Sequence, residues 1–221
     1  MKTPAIVLNF KTYKEATGKA AITLAKVCDE VARDKGVEIV VCPQLADAAK
    51  IAETVDIPVL AQHFDPITPG SHTGWVLLDS LVDAGLAGSL INHSEHRIPK
   101  EDVEKCVKML KDVGLESIVC TKDIGETAAY SHFTPNFLAI EPPELIGSGI
   151  SVSEAQPEIV SGAAKAGGDV PVFCGAGITK GVDVKKAIEL GACGVLLASG
   201  VTKSKEPGKV LSELASYVLS V

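Results

Sequence analysis

What this sequence lacks removes several classes of function. No uncharged apolar stretch approaches the ~20 residues that a bilayer-spanning helix needs, so no membrane span is expected. Positive charge is in short supply, with 21 Lys and Arg against 28 Asp and Glu and a net charge of −7. That balance argues against nucleic acid as the main partner, because a phosphate backbone demands a basic face. A small anion is not excluded, since one lysine and a few oriented backbone N–H groups suffice to hold it. None of the six cysteines (Cys28, Cys42, Cys106, Cys120, Cys174 and Cys193) stands in a C-x-x-C spacing. Neither a zinc site nor a thioredoxin-like motif is therefore expected; buried free thiols in a reducing compartment are. No linker, low-complexity tract or charge block divides the chain. Met1-Lys2-Thr3-Pro4 runs straight into an apolar segment without room for a secretory leader, so a cytoplasmic location is expected.

What is present is a strand–helix alternation from end to end. Short Val/Ile/Leu runs predict strands at 5–11, 38–42, 58–62, 88–92, 117–121, 137–141, 171–174 and 193–198. Most lack polar alternation, the mark of strands buried on both faces of a parallel sheet. Between them, Ala21, Leu24, Ala25, Cys28, Val31 and Ala32 fall three and four apart, as do Val103, Cys106, Val107, Leu110 and Val113 and the set Val210, Leu211, Leu214 and Val218. Gly36, Gly85, Gly114, Gly167 and Gly191 are placed to end helices, and Ser153 with Gln156 before Pro157 resembles a capping box. The helices after the second and fifth strands look short. Eight strand–helix units in 221 residues favour a single (β/α)8 barrel domain over 1–221. An open doubly wound sheet is the alternative, but it would place G-x-G-x-x-G after the first strand, where Asn9-Phe10-Lys11-Thr12-Tyr13 stands.

A barrel puts its chemistry at the carboxyl ends of its strands, where several polar groups are found. Asn9 and Lys11 are two apart at the end of the first strand and share a face, although a lysine there could simply snorkel to solvent. His93 follows the fourth strand, ahead of a helix starting near Pro99; a positive helix end disfavours a cationic imidazole and leaves a neutral donor. A structural histidine is the alternative, and His96 reads as a surface residue. Ser94-Glu95 lacks the G-x-S-x-G elbow of a serine hydrolase. Glu141 ends the sixth strand, where partial desolvation favours a carboxylate that takes up protons. It opens the segment Glu141-Pro142-Pro143-Glu144-Leu145-Ile146-Gly147-Ser148-Gly149. Its apolar tip, Leu145 and Ile146, suits a loop that folds over a ligand better than an ordinary solvated connection. Glycine-rich turns at Cys174-Gly175-Ala176-Gly177 and Leu197-Ala198-Ser199-Gly200 follow strands seven and eight, the usual place for phosphate in such barrels; ligand-free tight turns are the alternative.

Together Asn9-Phe10-Lys11, His93-Ser94-Glu95 with Arg97, Glu141-Pro142 and its lid, Gly175 to Gly177 and Ala198-Ser199 resemble the triosephosphate isomerase family over nearly the whole chain. The compact length and the wording of 141–147 are most similar to the short archaeal form. Asn92 in place of a glycine, His96 of an arginine, Ile140 of a tyrosine, and Ala176 and Ala198-Ser199 of a serine and a glycine pair depart from the commoner pattern. The resemblance, to a family that is itself a standard case of tuned acid–base groups, implies Glu141 as base, His93 as neutral electrophile and proton shuttle, Lys11 as electrostatic partner and Asn9 as orienting group. It implies Glu95 as a supporting partner of Lys11, and Asn9, Lys11, Ile146, Gly147, Gly175, Gly177, Ala198 and Ser199 around the phosphorylated substrate. It further implies interconversion of dihydroxyacetone phosphate and glyceraldehyde 3-phosphate in glycolysis and gluconeogenesis, with no metal or organic cofactor. A homo-oligomer, dimer or more often tetramer, is implied as well, with His72-Thr73-Gly74 docking near a neighbour's Lys11. Two other readings stay open on sequence: a different phosphate-binding barrel enzyme, such as a thiamine-phosphate or indole-glycerol-phosphate synthase, and a non-catalytic sugar-phosphate sensor.

Overall fold

Strands that are apolar on both faces need cover on both, and a barrel ringed by helices provides it. The computed structural model describes residues 1–142, 152–175 and 177–219. Its strands are β1 Ala5–Asn9, β2 Glu38–Cys42, β3 Leu60–Ala61, β4 Gly88–Ile91, β5 Glu116–Thr121, β6 Phe137–Ile140, β7 Val172–Cys174 and β8 Gly194–Leu197. They form one parallel sheet in the order β2-β1-β8-β7-β6-β5-β4-β3. A parallel bridge between Val41 and Val59, with the Val41 N–H donating to Pro58 O at 3.1 Å, joins the two ends. The barrel closes.

The helices are α1 Lys19–Lys35, α2 Leu45–Ala52, α3 Leu78–Asp83, α4 Lys100–Asp112, α5 Ile124–Ser131, α6 Val152–Ala155, α7 Pro157–Ala166, α8 Gly181–Glu189, α9 Ser199–Thr202 and α10 Pro207–Val218. As the sequence suggested, α2 and α5 are short, at eight residues each. Residue parity along each strand separates two cores. Ala5, Val7, Val40, Cys42, Ile118, Cys120, Phe137, Ala139, Phe173 and Leu196 fill the barrel interior. Ile6, Leu8, Ile39, Val41, Val119, Leu138, Ile140 and Val195 face the helices, meeting Leu24, Cys28, Val103, Leu110, Leu211 and Leu214. The strands touch closely at the base of the barrel: a β-carbon on Gly194 (φ 145°) would lie 2.1 Å from Ala5 O. Only glycine fits there.

Three local expectations are corrected. The first strand stops at Asn9 rather than residue 11, because Lys11 turns left-handed at φ 48° and leaves the ladder. Ser153 does not cap the helix at Pro157. It lies inside α6 and its hydroxyl donates to Asp183 O at 3.1 Å, while Gln156 occupies the cap position without a capping bond. Gly36, Gly85, Gly114 and Gly191 take positive φ where helices end, but at the end of α7 it is Gly168, not Gly167, that does so. The cysteines are free thiols as expected, with Cys193 alone partly accessible. Burial pushes the Cys106 and Cys193 thiols up to about 12 and raises Cys28 and Cys42 further, which keeps them protonated and inert at neutral pH.

Candidate active site

Interior parity carries past the strand ends and delivers the reactive side chains. Asn9 continues the inward series of Ala5 and Val7, and Glu141 that of Phe137 and Ala139. Both side chains are buried at 3% exposure, on the same carboxyl rim of the barrel. His93 reaches that rim by another route. Asn92 adopts φ 61°, a conformation asparagine tolerates better than most residues, and it turns the chain so that His93 swings inward. The Asn92 side chain pins this turn, donating to Cys120 O at 3.1 Å and accepting from the Ile98 N–H at 3.1 Å. A glycine would supply the φ without those two bonds.

His93 Nε2 stands 3.3 Å from Glu141 Oε1, with both side chains buried. At the other side of the ring, the Glu95 N–H donates to Nδ1 at 3.2 Å. A nitrogen that accepts a hydrogen bond carries no proton, so the ring is neutral with its proton on Nε2, directed at the site. The following helix starts at Lys100 with Pro99 as its N-cap, where the sequence placed it, and the Glu95 N–H belongs to the tight turn closed by His96 N–H to His93 O at 2.8 Å.

Glu141 is held by its backbone, its N–H donating to Thr121 O at 2.8 Å, so β6 keeps its pairing one residue beyond the strand. Among the described residues its Oε2 is buried with no hydrogen-bond partner. A buried carboxylate oxygen left unpaired costs free energy and marks a place where a ligand is to be met. The Cys120 thiol lies beside the same carboxylate; burial, and then that negative charge, push it well above its ordinary range, so it is no competing nucleophile. Lys11 Nζ is 2.8 Å from Glu95 Oε1, and the Lys11 N–H donates to Asn9 Oδ1 at 2.9 Å. Its strained backbone is secured by Gln62, whose Nε2 donates to Lys11 O at 3.0 Å and to Cys42 O at 2.9 Å.

These groups border a cavity of about 190 Å³ lined by Lys11, Glu95, Glu141, Gly175, Gly177 and Ser199 among others. Asn9 and His93 line an adjoining hollow that shares Lys11 and Glu95 with it. Ser199 and Gly200 open α9, so their amides have no carbonyl ahead of them in the helix and point to the cavity wall. Among the described residues no group of three or more His, Cys, Asp or Glu is placed to hold a metal ion. Ser94 Oγ has no hydrogen-bond partner, so nothing activates it as a nucleophile.

A model of the family described as triosephosphate isomerase matches residues 4–217. The triosephosphate isomerase of Methanothermus fervidus is 54% identical over 218 residues, covering 97% of this chain and 98% of its own. That of Methanocaldococcus jannaschii is 48% identical over 217 residues, 96% of this chain and 99% of its own. That of Methanosarcina mazei is 47% identical over 222 residues, 99% and 100% respectively. The chain belongs to the triosephosphate isomerase family.

Within a triosephosphate isomerase barrel the predicted residues fall into three groups. Asn9, Lys11, His93, Glu95 and Glu141 are interlinked at one rim. Gly175, Gly177, Ala198 and Ser199 line the cavity beside Glu141. Ile146 and Gly147, with the rest of the expected lid beyond Pro142, lie outside the described residues. Gly175 has a further part. Its N–H donates to Ile140 O at 2.9 Å, and a β-carbon there would sit 2.5 Å from Glu141 Cγ. Sequence reasoning missed Gln62 and the Cys120 thiol. Gln62 closes the strand expected at 58–62, one residue beyond β3, but as an uncharged amide it carries no signal of its role, and Cys120 reads only as one more apolar position. Gly175→Ala is expected to displace the carboxylate and lower isomerase kcat by about ten- to a hundredfold. The urea midpoint should move by no more than overpacking explains, about 1–3 kcal/mol. Wild-type kcat in that variant would mean that Gly175 does not set the position of Glu141.

Proposed function

We propose that the protein interconverts dihydroxyacetone phosphate and D-glyceraldehyde 3-phosphate through an enediolate, with Glu141 as the base. The observation that carries this is the buried Oε2 of Glu141, without a hydrogen-bond partner among the described residues, on a carboxylate whose Oε1 lies 3.3 Å from His93 Nε2. A carboxylate freed of water takes a proton from carbon more readily than a solvated one. Glu141 removes the proton from the carbon next to the carbonyl, and returns it to the neighbouring carbon. The neutral His93 donates to the oxygen on which negative charge develops and shuttles protons between the two oxygens. Neutrality suits it, because a neutral imidazole exchanges protons with an enediolate without being trapped as the conjugate acid. Lys11 adds positive charge at the same oxygen, Glu95 steadies its ammonium, and Asn9 orients the substrate through its Nδ2, which makes no hydrogen bond among the described residues.

The phosphate rests against the turns at Gly175 to Gly177 and at Ala198 and Ser199, with the α9 amides directed to it. The family resemblance assigns Ile146 and Gly147, which lie outside the described residues, to substrate binding as well; exclusion of water from such a site strengthens each polar contact and keeps the enediolate from losing phosphate. In this reading the enzyme serves glycolysis and gluconeogenesis in the cytoplasm; among the described residues no helix is long and apolar enough to cross a membrane.

The working form is a homo-oligomer, dimer or tetramer. The loop after β3 is pinned at its base by Asp65, whose N–H donates to Val76 O at 2.9 Å and whose side chain accepts the Val76 N–H at 2.6 Å. It carries exposed His72, Thr73, Gly74 and Trp75 outward, Trp75 at 57% exposure. Such an arm suits insertion beside a neighbour's Lys11. Light scattering should return at least twice the 23.0 kDa chain mass, and a monomer would contradict this part of the reading. In a coupled isomerase assay Glu141→Asp, which withdraws the carboxylate by one methylene, should lose about a hundredfold or more in kcat with the fold intact. Full activity in that variant would refute the assignment of Glu141 as a placed base.

A further inference from the structure

A phosphorylated triose brings a dianion into a cavity that is already short of positive charge. The charged residues on its described wall are Lys11, Glu95 and Glu141, one ammonium against two carboxylates, and Lys11 Nζ is 2.8 Å from Glu95 Oε1. His93 is neutral by its hydrogen bonding, and the Arg97 guanidinium is held by Glu126 at 2.8 Å. Backbone amides can cradle phosphate oxygens, but they add only partial charge. On a chain of net charge −7, an uncompensated dianion would also meet a repulsive field on approach.

One further cation stands close by. Lys203 ends α9, the four-residue turn whose first residues Ser199 and Gly200 line the cavity. Four residues at 1.5 Å rise span about 6 Å, within the screening length of about 8 Å at physiological ionic strength. Its Nζ lies 4.3 Å from the centroid of the Tyr13 ring, and Tyr13 itself lines the cavity. Lys203 makes no ion pair among the described residues, so its charge is not cancelled locally. The ring face attracts an ammonium and restricts where it can go, which holds the exposed Lys203 side chain over a residue of the cavity wall.

We propose that Lys203, propped on the Tyr13 ring, supplies the positive charge that offsets the substrate phosphate, with Tyr13 as its positioning residue. This rests on the assignment of a phosphorylated triose as substrate. Lys203 touches no reacting atom, so its charge acts on binding of substrate and transition state alike.

The test is Lys203→Met, which keeps an apolar stem against Tyr13 and removes only the charge. At low ionic strength the KM for glyceraldehyde 3-phosphate and the inhibition constant of inorganic phosphate should both rise about tenfold, with kcat little altered. The gap to wild type should narrow as salt is added. Lys203→Arg should restore both constants, and Tyr13→Leu should reproduce much of the defect while Tyr13→Phe does not. Unchanged constants at low salt would overturn the proposal, as would a defect that salt does not diminish or that arginine does not rescue. A wild-type protein without isomerase activity would instead sink the underlying substrate assignment; phosphate affinity measured by calorimetry on the same variants would then still decide the role of Lys203.

Discussion

Asn9, His93 and Glu141 on the rim of this barrel each have one polar atom engaged by the chain and another that makes no hydrogen bond among the described residues. Asn9 gives its Oδ1 to the Lys11 N–H, His93 gives its Nδ1 to the Glu95 N–H, and Glu141 keeps Oε1 beside His93 while Oε2 has no hydrogen-bond partner among the described residues. That division is what turns a cluster of buried polar side chains into a site. A side chain with both ends satisfied would be structural; one with neither end satisfied would be free to rotate away. Half-satisfied groups cost stability, and they persist because the barrel around them over-determines their positions.

The supporting interactions mostly act on backbone, not on the reactive atoms. Lys11 and Asn92 both hold positive φ, at 48° and 61°, and each is secured by side-chain amides: Gln62 on the Lys11 carbonyl, Asn92 on its own flanks. The carboxylate owes its place to the β5–β6 ladder continuing through its N–H and to the bare α-carbon of Gly175. Arg97, bound to Glu126, sits on the same Cys120 carbonyl that receives Asn92, tying the His93 turn to β5. The site is therefore built by the ends of β1, β3, β4, β5, β6 and β7 and their turns, and a change at Gly175 or Asn92 reaches the chemistry without touching a ligand.

Much of this was legible in the sequence because a closed barrel leaves few options. The eight apolar runs read as strands with two buried faces, and the position of Asn9 and Glu141 at the ends of two of them put both at the carboxyl rim. Legibility failed where a tertiary contact outweighed a local preference. Ser153 has the spacing of a cap, yet the Asp183 carbonyl lies within its reach and takes the hydrogen bond. The bond from the Glu95 N–H to His93 Nδ1 had no signal in the sequence, because it depends on how the turn after β4 folds. Gln62 stood at the end of the expected strand 58–62, but only the fold brings its amide to the carbonyls of Lys11 and Cys42. Tyr13 and Lys203 are far apart in sequence, and neither belongs to a motif; only folding brings an ammonium over a ring at the mouth of the site.

The protonation of His93 is the hinge of the chemical account, because a cationic ring or the opposite tautomer would present the wrong atom to the substrate. Nitrogen-15 NMR of the imidazole, assigned through His93→Gln, measures it directly at neutral pH. The account predicts an unprotonated Nδ1 accepting a hydrogen bond and a proton on Nε2, both in the free protein and with a triose-phosphate analogue bound. An imidazolium, or a proton on Nδ1 with Nε2 bare, would contradict it.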